Sequence, residues 1–161
     1  MSLPDTVKRL PWYVWLILTV AAVILGHYLL SSSQRLVSHV IENAISGVET
    51  ENVGQCLEAI SETYLDDYGY RRKELKEMAQ DAFAELDDIR VSILNQEILI
   101  KDSKAFVELE VRVVASVTSL NGQRGYIFGD FNHPENVHIE LENDNGKWMI
   151  VKISNLPNRR D

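Results

Sequence analysis

Cysteine is nearly absent from this chain. Cys56 is the only one in 161 residues, so no disulfide within one chain can hold the fold, and stability has to come from packing. The thiol stands beside Leu57 and close to Ile60 in an apolar-periodic stretch, the setting of a buried, inert cysteine rather than a reactive one. Asn-x-Ser/Thr sequons are also absent, which argues against N-glycosylation. There is no glycine-rich phosphate loop, no nucleophile elbow and no cysteine cluster. The spacing of Gly122 and Gly125 is too common to carry a function. Basic charge is scarce too. Two of the 16 Lys and Arg and one of the 24 Asp and Glu precede residue 31, so residues 31–161 hold 14 against 23, a net −9. A domain this acidic should be soluble, is a poor partner for nucleic acid, and is repelled by anionic lipid if it lies flat on a membrane.

Charge is missing altogether from residues 12–30, WYVWLILTVAAVILGHYLL. At about 1.5 Å per residue this stretch spans roughly 30 Å, the thickness of a hydrocarbon core. Trp12, Tyr13 and Trp15 mark one end and Tyr28 the other, as interfacial aromatics do. Lys8, Arg9 and the α-amino group precede the stretch, opposed by Asp5, and Arg35 is the one strong positive charge close behind it. The positive-inside bias then places residues 1–11 in the cytoplasm as a tail. Residues 12–30 form a transmembrane anchor, 31–33 a tether and 34–155 a periplasmic or otherwise extracytoplasmic domain, with 156–161 as a second tail. A cleaved signal peptide is the competing reading, since Ser31, Ser32 and Ser33 are of the size cleavage needs. The length of the apolar run and the crowding by Tyr28, Leu29 and Leu30 favour the anchor. A mature chain whose mass starts near Gln34 would overturn it.

Beyond residue 33 the periodicity changes once. Leu36, Val37, Val40, Ile41, Ala44, Ile45 and Val48 recur at helical spacing over 34–48, with Gly47 placed to stop the helix. Val53, Leu57, Ile60, Tyr64 and Leu65 form a second stripe over 51–66. Leu75, Met78, Ala79, Ala82, Phe83 and Leu86 form a third over 72–87. After residue 88 the period becomes two. Strands are predicted over 89–100 and 105–118, joined into a hairpin by Lys101-Asp102-Ser103-Lys104, and over 137–143 and 147–154 around the turn Asp144-Asn145-Gly146. The last has Trp148 and Ile150 on one face and Met149, Val151 and Ile153 on the other, which suits a central strand covered on both sides. Tyr126, Ile127, Phe128 and Phe131 could add a short strand between glycines. Helices followed by an antiparallel sheet make an α+β domain of about three helices on a bent sheet.

That order resembles the nuclear-transport-factor-2-like, or cystatin-like cone, superfamily. The resemblance covers about residues 34–155. It is carried by LDDYGYRRKEL, by the hairpin DIRVSILNQEILIKDSKAFVELEVRV and by the closing GKWMIVKIS. It implies a cone holding a pocket between sheet and helices, in which ketosteroid isomerases and polyketide cyclases use buried carboxylates, His or Tyr. Candidates for such a pocket are Tyr64, Tyr68, Tyr126, His138 and Trp148. None falls on an isomerase or cyclase pattern, and core aromatics are the plainer account of Tyr64, Tyr126 and Trp148. No cofactor is implied. His133 and His138 lie near acids, but His138, Glu140 and Glu142 spread along one strand and cannot close round a metal ion alone.

Arg71, Arg72 and Lys73 start the third helical stripe and Asp87 and Asp88 end it, both against the helix dipole. Pairing of Arg71 or Arg72 with Asp66 or Asp67 is the structural account. A basic docking point for an acidic partner is the functional one. A single anchor followed by a cone domain also resembles, in architecture, the periplasmic scaffold subunit of type IV secretion systems. The expected function is therefore a membrane-anchored, non-catalytic interaction or assembly module, working as a homodimer or in an envelope complex, with Leu29, Leu36 and Val40 as a dimer seam. The alternative is a domain that binds a small apolar ligand or acts as an isomerase.

Overall fold

The stripe predicted over 34–48 belongs to a longer element. The computed structural model describes residues 12–117 and 122–155, with side chains at 19, 32–117 and 122–155. In it, α1 runs unbroken from Trp12 to Glu49. The expected tether at 31–33 is helical within it. Apart from Thr19, the side chains of the apolar stretch lie outside the described residues, as do both expected tails. Among the described residues no helix is long and apolar enough to cross a membrane.

Gly47 does not stop α1. It is buried inside it, and a Cβ there would lie 2.7 Å from the Cys56 nitrogen and 3.0 Å from its sulfur. The glycine serves the close approach of α2 (Val53–Glu58). Asn52 caps α2 by accepting the Gln55 N–H at 3.1 Å, and the Gln55 amide donates back to Asn43 O and Oδ1 at 3.2 and 3.0 Å. The helix predicted over 51–66 ends at Glu58 because the chain then turns to the sheet. Ser61 N–H donates to Ile150 O at 2.8 Å, Leu65 N–H to Val151 O at 3.1 Å, and Ile150 N–H to Ala59 O at 2.8 Å. These bonds compete with helix continuation and cover part of an open sheet edge.

α3 (Arg72–Glu85) passes directly into β1 (Leu86–Lys101), with Leu86 already extended. Asp87 and Asp88 therefore stand in a strand and do not oppose the dipole of α3. Asp87 pairs with Ser116, and Asp88 and Ile89 form a bulge in which Asp88, at φ 51°, pairs with Arg90 at 3.2 Å and with Arg124. β2 (Lys104–Val117), β3 (Gln123–Phe128), β4 (Glu135–Asp144) and β5 (Lys147–Ser154) complete an antiparallel sheet in the order β1-β2-β4-β5. β3 shares the β2 edge with β4: β4 pairs with Lys104–Val111 and β3 with Val113–Val117.

β5 is the terminal strand of that path, not a central one. Its two-sided apolar pattern has another cause. Ile150 pairs with Leu141 and Lys152 with Glu140, leaving Val151 as an extra residue. Such a bulge reverses the alternation. Trp148 and Ile150 face inward before it, and Ile153, opposite Ile139, faces inward after it. Leu94 does the same in β1, between Ile93 and Asn95, so the inward set passes from Ile89, Val91 and Ile93 to Gln96, Ile98 and Ile100. Bulges bend the strands that carry them, and α1–α3 pack on the resulting inner face.

The core joins Val37 and Ile41 of α1 to Ile60 and Tyr64, and both to Val107, Leu109, Leu141, Trp148 and Ile150. α1 runs antiparallel to β1 and in step with it. Val91 N–H donates to Glu49 Oε1 at 2.9 Å, the Gln96 amide to Ser38 Oγ at 2.9 Å, and the Gln34 amide to Ile98 O at 3.4 Å. From Glu49 back to Gln34 is about 22 Å of helix, and from Val91 on to Ile98 about 23 Å of strand.

Candidate functional site

Between the helices and the sheet lies a cavity of about 210 Å³. α1 lines it with Ile41, Ala44, Ile45 and Val48, α2 with Cys56 and Leu57, and α3 with Leu75 and Ala79. Leu109, Ile139, Ile150 and Ile153 floor it from three strands, and Ile60 closes one side. Nearly all of these positions were legible as apolar stripes, though only as core. Cys56 is the one lining side chain with a titratable group. Burial pushes its thiol above the usual range, and a backbone hydrogen bond opposes this weakly, so it is poorly nucleophilic.

The five candidate pocket residues do not converge. Tyr64 is fully buried and Trp148 nearly so, both within the core. Tyr68 and Tyr126 are exposed, Tyr68 with its ring 6.3 Å from that of Tyr70 and Tyr126 on β3. His138 lies on the outer sheet face, 3.6 Å from Glu108 across the β2–β4 pair. Trp148 instead borders an open groove of about 570 Å³ beside α1, with Leu36, His39, Val40, Asn43, Glu58 and Lys147. Leu36, expected in the core stripe, is exposed there. His133 sits apart from His138, in a turn where Asp130 accepts the Asn132 and His133 N–H groups at 2.7 and 2.8 Å.

Asp66 was missed as a buried group. It is only 6% exposed, and its Oδ1 accepts the Tyr68 and Tyr70 N–H groups at 2.9 and 2.8 Å, holding the loop between Leu65 and Arg71 closed. An Asp two residues ahead of a turn amide is the local signal for this. Its Oδ2 and the Tyr64 hydroxyl are both buried, with no hydrogen bond of normal geometry among the described residues. Burial first, and then the charge of Asp66, raise the Tyr64 phenol well above its ordinary pKa. Neither residue lines the cavity.

The basic run at α3 divides by role. Arg72 pairs with Glu62 and donates to Leu57 O at 3.1 Å, tying α3 to α2. Asp66 and Asp67, the expected partners, are engaged elsewhere: Asp67 lies 2.6 Å from Lys152. The Arg71 N–H donates to Glu74 Oε2 at 2.9 Å, and the backbone amide of Glu74 itself, followed by this bond, holds the Glu74 carboxyl below its usual range. Arg71 and Lys73 point outward. Arg72→Ala should therefore lower stability by about 1–2 kcal/mol, and Arg71→Ala by a few tenths at most. Equal melting temperatures for the two variants would refute that division.

Comparison with known proteins agrees with this architecture. No family model matches the chain, and no curated protein matches it. Solved structures do. A nuclear transport factor 2-like superfamily protein from Salmonella enterica superposes with a TM-score of 0.66 at 11% identity, covering 81% of this chain and 95% of that one. A protein of unknown function with a cystatin-like fold from Nostoc punctiforme gives 0.57 at 16% identity, over 77% and 93%. A protein from Bdellovibrio bacteriovorus gives 0.60 at 11% identity, and there 76% of this chain covers only 40% of the other. The helices and antiparallel sheet of this chain have the nuclear-transport-factor-2-like, cystatin-like fold.

Proposed function

We propose that the protein is a membrane-anchored, non-catalytic interaction module whose domain stands outside the cytoplasm. The observation that carries this reading is α1. One unbroken helix joins the uncharged stretch 12–30 to two of the most deeply buried core residues, Val37 and Ile41. The aromatic ends of that stretch, and Lys8 and Arg9 before it, set the direction. The apolar lining of the cavity and the dispersal of Tyr64, Tyr68, Tyr126, His138 and Trp148 favour binding over chemistry.

Two measurements on the full chain in its native membranes test this. The double variant Val20→Arg, Ile24→Arg adds about 2.5–3.5 kcal/mol per charge to insertion, so alkaline extraction should release it and leave the parent chain in the pellet. Release of both ends the anchor. For the interaction itself, a photo-crosslinking residue at Leu36, beside the groove, should give a discrete homodimer or one defined adduct. Monomer alone would refute the module.

The second reading is a small apolar ligand in the cone, favoured by the cavity itself. At about 210 Å³ it lies below the roughly 300–1,000 Å³ usual for ligand pockets, which ranks this reading second. Filling it with Ala44→Leu should raise the melting temperature if the space is a packing void.

A further inference from the structure

α3 rests lightly on the core. α1 buries Val37 and Ile41 there, and the segment after α2 buries Ala59, Ile60 and Tyr64. None of the 14 residues of α3 is buried. α2 shares that feature but is fixed by its Asn52 cap and by Asn43 of α1. The apolar stripe of α3, Leu75, Met78, Ala79, Ala82 and Phe83, is half-buried throughout. Among the described residues, Leu75 is the α3 side chain that packs against the buried core. The cavity accounts for this. Leu75 and Ala79 form its α3 wall, so open space lies where a core helix would have contacts.

The chain leading into α3 is under-satisfied as well. Among the described residues, five buried side-chain polar atoms lack a hydrogen bond of normal geometry. Three of them, the Tyr64 hydroxyl, Asp66 Oδ2 and Arg72 Nε, fall between residues 64 and 72. Buried groups without partners favour a state in which water reaches them. Gly69, at φ 82°, stands in this loop with no atom within 4 Å of where a Cβ would be. The other end of α3 is fixed, because Leu86 already pairs with Val117 in the sheet. The loop end is held by Arg72, through Glu62 and Leu57 O, and by the bonds of Asp66 to the Tyr68 and Tyr70 N–H groups.

We propose that α3 is a hinged lid over the cavity. It pivots at Leu86, is latched by Arg72, and opens while the sheet stays folded, which admits small apolar molecules to the space beneath. The lid goes beyond both readings of function above and depends on neither.

Hydrogen exchange on the full chain in phosphatidylcholine nanodiscs, followed by mass spectrometry, tests it. Amides of 74–85 should exchange at least about tenfold faster than those of 105–111 in β2, as a local opening does. Val37→Ala separates local from global opening. Val37 is fully buried and lies outside the cavity lining, so its contacts persist when the lid opens. Exchange in β2 should quicken several-fold and exchange in α3 should stay as it was. Arg72→Ala removes the latch and should quicken α3 several-fold, whereas Arg71→Ala should not. Access to the cavity is followed in Cys56→Ala with Leu109→Cys, which places the single thiol on the cavity floor. Its reaction with methyl methanethiolsulfonate should quicken with Arg72→Ala and not with Val37→Ala. Equal exchange of α3 and β2 in the parent chain, or an equal response of both to Val37→Ala, overturns the lid. A thiol at 109 whose reaction is indifferent to Arg72→Ala overturns it too.

Discussion

Tyr64→Ala should lower the unfolding free energy by about 3–5 kcal/mol, the usual loss for a buried aromatic, or roughly 10–20 °C in melting temperature for a domain of this size. Tyr64 is fully buried and packs in the same core as Ile41, Leu141 and Ile150. Its hydroxyl contributes little, having no normal hydrogen bond, so Tyr64→Phe should be neutral to slightly stabilising at neutral pH. The pair separates further in alkali. Because the folded chain raises the Tyr64 pKa, the group ionises more readily when unfolded. Its stabilising contribution is complete below about pH 10 and is lost as pH rises beyond it. Lys104 and Lys152, held above their usual range by hydrogen bonds to Glu142 and Asp67, act in the same direction from the surface. Denaturant unfolding at pH 8 and near pH 11 should show a smaller loss for Tyr64→Phe than for the parent. Equal losses would remove Tyr64 from the account.

Gly47→Leu is the second large effect, and its sign runs against helix propensity. Exchanging glycine for alanine inside a helix usually gains about 1 kcal/mol. Here a Cβ meets the backbone nitrogen of Cys56 at 2.7 Å and the Gln55 carbonyl carbon at 3.1 Å. Backbone cannot rotate aside as a side chain does, so α2 must shift. We expect Gly47→Ala to be net destabilising and Gly47→Leu to cost about 3 kcal/mol or more. Thermal melts of both against the parent check the order. A stabilised alanine variant would mean that α2 moves freely.

The fold was largely legible because both of its periods were. The helical stripes located α1 and α3, and the alternation after residue 88 located β1, β2, β4 and β5 within a few residues. What failed were features set by long-range partners. Leu57, Ile60 and Tyr64 keep helical spacing, yet hydrogen bonds to Ile150 and Val151 pull residues 59–65 out of a helix. The two apolar faces of β5 resemble a doubly covered strand, and only the register with β4 reveals Val151 as a bulge. Gly47 carries no local sign distinguishing a stop from a close approach. At the site, spacing gives the face on which Tyr64, Tyr126 or His138 lies but not its depth, so residues from different faces were grouped together. The cavity was hidden for the converse reason: its lining is the core pattern itself, and an unfilled space leaves no trace in periodicity.

The unbroken α1 also makes the protein a torque-transmitting shaft. Its 38 residues amount to about 57 Å of rigid rod, clamped at one end by the sheet through Ser38 and Glu49. A turn of the apolar stretch about its own axis swings the whole sheet through the same angle. Helical phase then becomes a property of the whole chain. One residue inserted at 31–33 would rotate the domain by about 100° against that stretch, whereas a pair of glycines there would uncouple the two halves.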